Sequence, residues 1–129
     1  MASTKEEFPH KVMAELEAED ALFKHLGEMP VELVIPVALM TARLQWSRWG
    51  AEESAMIKRN DPRPVYRFNS QEMLWLLQAS LRISPDDMTL VYLGQQAGKL
   101  LIDITPDAAV MAAYRAARWA VDCFSARAR

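Results

Sequence analysis

The sequence has few of the residues on which several classes of protein depend. Among its 129 residues are one cysteine, four glycines and two histidines. A single cysteine excludes an internal disulfide and gives no sign of an oxidising compartment. With so few glycines a phosphate-cradling loop is hard to build, and there is no dinucleotide fingerprint, nucleophile elbow or HExxH motif. His10 and His25 lie about four turns apart on one predicted helix, too far to share a metal. We therefore predict no enzymatic activity, no cofactor and no metal.

An excess of positive charge and a long apolar run are also missing. The net charge is -2, so bulk electrostatics attract neither nucleic acid nor an anionic membrane. The longest apolar stretch, near LVIPVALM, is too short to cross a bilayer. The N-terminus has no apolar run behind a basic start, as a secretory signal would. These absences predict a cytoplasmic protein without membrane contact.

The composition is that of one folded domain with unevenly placed charge. Hydrophobic residues make up 51% and charged residues 25% of the chain, and no repeat or linker divides it, so we predict a single domain over 1–129. Residues 1–30 carry three basic and seven acidic side chains, whereas residues 31–69 carry six and four. An acidic N-terminal arm and a basic middle segment can attract each other, within one chain or between copies.

Two helices are indicated in the first part of the chain. Lys5–Leu26 is amphipathic, and Gly27 followed by Pro30 ends it, so residues 1–27 form a helix that can serve as a mobile or docking arm. Residues 70–82, SQEMLWLLQASLR, form the other helix. Because this helix is apolar around most of its girth, we expect it to lie at the centre of the fold.

The segment 31–57 is consistent with strands or with a helix. VELVIPV is rich in β-branched residues and is interrupted by Pro36, as in an edge strand. The stretch from Met40 to Ser47 alternates apolar and polar residues, which also favours a strand. A helix from Pro36 to about Ile57 is the alternative, since Ala, Leu, Met and Arg are good helix formers. We favour strands here.

The second half predicts a hairpin followed by a long helix. MTLVYLG and KLLIDIT read as two strands joined by a short loop with Gly94 and Gly98 on either side. The whole chain then has the order helix, strands, helix, β-hairpin, long C-terminal helix. We predict an α+β fold, a single small domain with a mainly antiparallel sheet and flanking helices.

The C-terminal helix carries a stripe of alanine. Thr105 suits the N-cap and Pro106 the first helical position. An alanine face allows another backbone to approach closely, and that backbone belongs to another helix of the chain or to a second copy. We predict a homodimer and place its interface at Ala109, Ala113, Ala116 and Ala120. Cys123 continues this stripe and is expected to be a buried structural thiol.

A known family shares part of this order. QEMLWLLQASL, TLVYLG, KLLIDI and the last helix together resemble the small dimeric chaperones of type III secretion effectors. The resemblance covers less than half of the chain and implies a dimer whose exposed apolar surface holds an unfolded partner. The glycine turns expected between strands in 31–69 are missing.

The candidate partner-binding residues lie in the middle of the chain. QWSRWG places two tryptophans around an arginine, and the segment 58–68 interleaves arginine with aromatic residues, a combination common at protein hot spots. The set that we predict for the partner is Trp46, Arg48, Trp49, Arg63, Tyr66 and Arg67. The function expected is a non-catalytic protein-binding module such as an adaptor, an effector chaperone or an immunity-type inhibitor. The alternative is a nucleic-acid-binding regulator that uses 58–68, and a third possibility is a small ligand held between sheet and helices.

Overall fold

The chain folds as a bundle of helices. The computed structural model describes residues 2–59, 70–81, 83 and 86–125, and within them it has five α-helices and no strand. The helices are α1 (Ala2–Gly27), α2 (Val31–Lys58), α3 (Ser70–Ser80), α4 (Met88–Gly98) and α5 (Pro106–Phe124), and a short 3₁₀ turn (Lys99–Leu101) follows α4. The predicted α+β fold with a mainly antiparallel sheet is therefore wrong. None of the described helices is both long and apolar enough to span a membrane.

The first and last helices follow the sequence prediction. α1 contains the predicted segment Lys5–Leu26 and ends at Gly27. Thr105 occupies the N-cap position of α5 with extended backbone, although its side chain makes no capping hydrogen bond, and Pro106 is the first helical residue. A proline at this position sacrifices no hydrogen bond, because the first amides of a helix have no intrahelical acceptor. The end of α1 and the start of α5 could be predicted because helix caps depend on residues close together in sequence.

The segment predicted as strands is the long helix α2. Pro36 lies inside it, only five residues after its start, where the missing N–H removes one hydrogen bond of the helix. The apparent alternation arises because α2 is buried on several sides, so that apolar and polar residues are both covered. Thr41 is fully buried and its hydroxyl donates to the carbonyl of Val37 at 2.7 Å. A helix buried on several sides loses the one-sided periodicity by which helices are recognised.

The segment predicted as a hairpin is α4 with its 3₁₀ turn. Asp87 caps α4 by accepting a hydrogen bond from the amide of Leu90 at 3.1 Å. Gly94 and Gly98 are one helical turn apart and form a flat surface against α2, not a chain reversal. A Cβ atom at Gly94 would lie 2.7 Å from Cγ of Met40, and one at Gly98 would lie 2.7 Å from Nε2 of Gln45. The resemblance to effector chaperones rested partly on these strands and loses that support.

The core lies between α2 and α5, with α1 and α4 closing its sides. Ala109, Ala113, Ala116 and Ala120 lie on α5, which packs most extensively on α2, and they are at most 1% exposed. Small side chains on α5 let the two helices approach closely, so the larger side chains of α2 fill the space between them. The large side chains buried most completely are Leu22, Leu26, Val34, Val37, Met40, Leu101 and Val110.

Candidate protein-binding face

One side of α3 is fixed to the rest of the molecule. Leu76 and Ser80 are buried, and the Ser80 carbonyl accepts a hydrogen bond from Nη2 of Arg43 on α2 at 2.7 Å. The hydroxyl of Ser80 donates to the carbonyl of Leu77 at 3.1 Å. The hydrogen bond from Arg43 is charge-assisted, and such bonds are among the stronger ones in proteins. The C-terminal end of α3 is therefore held in a fixed position on α2.

An aromatic cluster fixes α3 to α5. The rings of Trp75 and Tyr114 meet edge to face with centroids 5.4 Å apart. The guanidinium carbon of Arg118 lies 4.6 Å from the centroid of the Trp75 ring, a cation–π contact. Burial raises the pKa of Tyr114 above its ordinary value, the positive charge of Arg118 opposes this and the negative charge of Glu72 adds to it. Tyr114 therefore stays a neutral phenol at physiological pH.

The other side of α3 exposes three leucines. Leu74, Leu77 and Leu81 are 55%, 50% and 78% exposed, and Leu81 directly follows the last residue of α3. Their spacing of three and four residues places them on one stripe, which we call the α3 leucine face. The sequence predicts this helix at the centre of the fold, and that prediction is wrong. One side of this mostly apolar helix packs inward, and leucines on the other side are exposed to solvent.

The sequence around the α3 leucine face is basic. Between positions 58 and 82 there are five basic side chains and two acidic ones, so this stretch has a balance of +3 in a chain of net charge -2. The remaining residues therefore have a balance of -5. The basic residues are Lys58, Arg59, Arg63, Arg67 and Arg82, and the acidic ones are Asp61 and Glu72. A basic stretch of sequence that contains an exposed apolar stripe favours an acidic, apolar partner.

Three of the residues predicted to bind a partner, Trp46, Arg48 and Trp49, lie in the described part of the chain and are only partly exposed. Trp46 is half-buried against the core and Trp49 is also half-buried. Arg48 reaches back to the turn before α5: its Nη1 donates to the carbonyl of Leu101 and its Nη2 to that of Ile104, both at 3.3 Å. Its Nη1 also donates to Oε1 of Gln45 at 3.1 Å. Arg48 therefore connects α2 to the turn before α5.

The remaining three predicted residues, Arg63, Tyr66 and Arg67, lie outside the described residues. So does most of the segment 58–68.

The alanine stripe proposed as a dimer interface is filled by the chain itself. Ala109, Ala113, Ala116 and Ala120 are buried within the chain, where α5 packs mainly on α2 and also on α1, so a second copy does not reach them in this fold. Of the two occupants that the sequence allowed, a helix of the same chain is the one observed. Cys123 continues the stripe in sequence but is exposed. The expectation of a buried thiol is therefore wrong, since the buried part of the stripe ends at Ala120.

Two of the clefts that described residues line are open to solvent. One of about 220 Å³ lies between α1 and α5 beside Glu15, Met111 and Arg115. The other, of about 310 Å³, lies between α2 and α4 beside Arg48, Gln95 and Lys99. Within the described residues, no group of three or more His, Cys, Asp or Glu side chains could hold a metal ion.

The composition of α3 is itself a sign that part of the helix is exposed. An eleven-residue helix with apolar side chains all round cannot bury them all unless it is enclosed on every side. Comparison of the chain with protein-family profiles, with curated proteins and with solved structures gives no match. The case for function therefore depends on the surfaces of the molecule.

Proposed function

We propose that the chain is a non-catalytic protein-binding module that binds an acidic amphipathic helix of a partner on its α3 leucine face. The observation that carries this is the exposure of Leu74, Leu77 and Leu81 in one stripe. Scattered exposed leucines are common, but aligned ones at helical spacing form a contiguous apolar surface. Partner helices dock on such surfaces through their own residues at i, i+3, i+4 and i+7.

The way in which α3 is held supports this use. Trp75 packs on α5, and the carbonyl of Ser80 is bonded to Arg43 of α2. A binding face that is already rigid loses little conformational entropy when a partner arrives. The α3 leucine face therefore has the preorganisation that a docking site needs.

Charge supports the choice of an acidic partner. The stretch 58–82 is basic within an acidic chain, so carboxylates beside the apolar stripe of a partner helix are attracted to it, whereas a basic helix is repelled. Such complementarity mainly raises the association rate and the specificity. The single cysteine suits a cytoplasmic location, which is part of the same proposal.

A designed peptide tests the proposed face. The probe is a fluorescent helical peptide of about 18 residues, with leucines at i, i+3, i+4 and i+7 and glutamates on the other faces. We expect Leu77→Glu to weaken its binding at least about tenfold, because a charge in an apolar contact must be desolvated. Ile102→Glu is the matched control, since Ile102 is at least as exposed as Leu77 but follows the 3₁₀ turn, and it should leave binding unchanged.

Three results would contradict the proposal. The peptide fails to bind, Ile102→Glu weakens it as much as Leu77→Glu, or a peptide with serine in place of leucine binds equally well. A single-stranded oligonucleotide serves as a further probe. If the chain binds it with a steep salt dependence and Arg63→Glu abolishes that binding while Leu77→Glu does not, the chain binds nucleic acid instead.

A further inference from the structure

A second apolar surface lies on the acidic helix α1. Val12, Met13 and Leu16 are 37%, 54% and 49% exposed. Val12 and Leu16 are four residues apart and Met13 and Leu16 three, so the three side chains are neighbours on the helix surface. Together with the α3 leucine face they account for six of the eleven large apolar side chains that are exposed among the described residues.

The chemistry of α1 is the one that the α3 leucine face favours. α1 contains six acidic and three basic side chains, and Glu17 beside Leu16 is exposed. Acidic groups thus flank an apolar stripe on α1, whereas the stretch of sequence from 58 to 82 that contains α3 is basic. The two surfaces are complementary in both polarity and charge.

Within one chain the two surfaces stay apart. α1 is bonded to α5 through Glu19, which accepts from Nη2 of Arg115 at 3.2 Å, and through the rings of Phe23 and Trp119. α3 packs on α5 through Tyr114 and Arg118 instead. Because both stripes remain exposed in this arrangement, a contact between them requires a second molecule.

We infer that two copies of the chain form a dimer in which α1 of each copy lies on the α3 leucine face of the other. The inference rests on the proposed function, because it names α1 as an acidic amphipathic helix that uses the same face. A two-fold axis makes the contact twice. The second contact is needed because stable interfaces bury at least about 1,200 Å², and a single pair of short helices buries less. A partner helix that binds α3 would displace α1 and separate the copies.

The mass of the full chain in solution tests the inference. Light scattering should give twice the 14.7 kDa of one chain for the unmodified protein and for Ile102→Glu. Leu16→Glu and Leu77→Glu should each give the mass of one chain, because each removes one side of both contacts. Positions 16 and 77 are half exposed, so these variants should fold, and circular dichroism checks that they do.

Mixing the two variants gives a further check. Leu16→Glu retains an intact α3 and Leu77→Glu retains an intact α1, so an equimolar mixture can form one of the two contacts. It should contain more dimer than either variant alone and less than the unmodified chain. If Leu77→Glu is monomeric while Leu16→Glu stays dimeric, α3 pairs with α3 and the inference is overturned. If the unmodified chain is monomeric and still binds the designed peptide, the inference fails and the proposed function stands. A monomer that does not bind the peptide overturns both.

Discussion

Two glycines on α4 illustrate how one residue type can be read in two ways. Gly94 and Gly98 bracket a short polar stretch, as hairpin residues do, yet in the structure they give α4 a flat side against Met40 and Gln45. Glycine favours a turn because of its backbone freedom and favours close packing because it lacks a side chain. The sequence contains both interpretations, and only the position of α2 decides between them.

Substitution of glycine by alanine separates these roles. Alanine in a helix is favoured over glycine by about 1 kcal/mol. At Gly94 the new Cβ meets Cγ of Met40 at 2.7 Å, and Met40 is itself buried. We expect Gly94→Ala to lower the free energy of unfolding by about 1–2 kcal/mol, because overpacking outweighs the gain.

Gly50 on α2 is the matched control. Nothing lies within 4 Å of a Cβ atom at this position, so Gly50→Ala should raise the free energy of unfolding by about 0.5–1 kcal/mol. Urea unfolding followed by circular dichroism measures both. Shifts of the two midpoints in the same direction would show that Gly94 is not a close-contact position.

At the scale of the helices, α1 and α5 could be predicted and α2 and α4 could not. α1 and α5 each have one polar side. The end of α1 at Gly27 and the start of α5 at Thr105–Pro106 are also visible in the sequence. α2 lies at the centre and contacts every other helix, so it lacks a polar side. β-Branched residues and Pro36 then suggested a strand, and burial in the core overrode these local preferences.

Arg48 joins α2 to the turn that precedes α5. Its side chain makes three hydrogen bonds, to Gln45 and to the carbonyls of Leu101 and Ile104. Arg48→Met keeps much of the aliphatic volume but leaves these partly buried acceptors without a donor. We expect a loss of about 1–3 kcal/mol in the free energy of unfolding, measured by urea denaturation.

The comparison for Arg48 is Arg115→Met on α5. Arg115 pairs with Glu19, but its side chain is 51% exposed, so the expected loss is at most about 1 kcal/mol. Equal losses for the two variants would mean that Arg48 does not anchor the turn. It would then be available as the partner-binding residue that the sequence suggested.

At the scale of the whole molecule, the sequence showed the distribution of charge but not which apolar residues are exposed. The acidic N-terminal arm and the basic middle are counts along the chain and hold in any fold. Exposure of Leu74, Leu77 and Leu81 depends on α3 packing at the edge of the bundle through Trp75 and Ser80, contacts between residues far apart in sequence. The α3 leucine face could therefore not be predicted, because the sequence indicated that α3 lies in the core.

The packing of α5 on α2 forms the centre of the molecule, and a buried charge tests it. Ala116 of α5 is 1% exposed, so Ala116→Glu would bury a carboxylate in the core. We expect it to lower the free energy of unfolding by at least about 3 kcal/mol, or to prevent folding. A dimer interface at this position would behave differently: the variant would stay folded and become monomeric.

Cys123→Glu is the control, because Cys123 continues the same stripe of α5 but is exposed. A glutamate there faces water and meets only the negative end of the helix dipole, so the expected loss is below about 1 kcal/mol. Thermal unfolding monitored by circular dichroism, together with light scattering, distinguishes the outcomes. If Ala116→Glu unfolds at the same temperature as Cys123→Glu, the alanine stripe is not buried between helices of one chain.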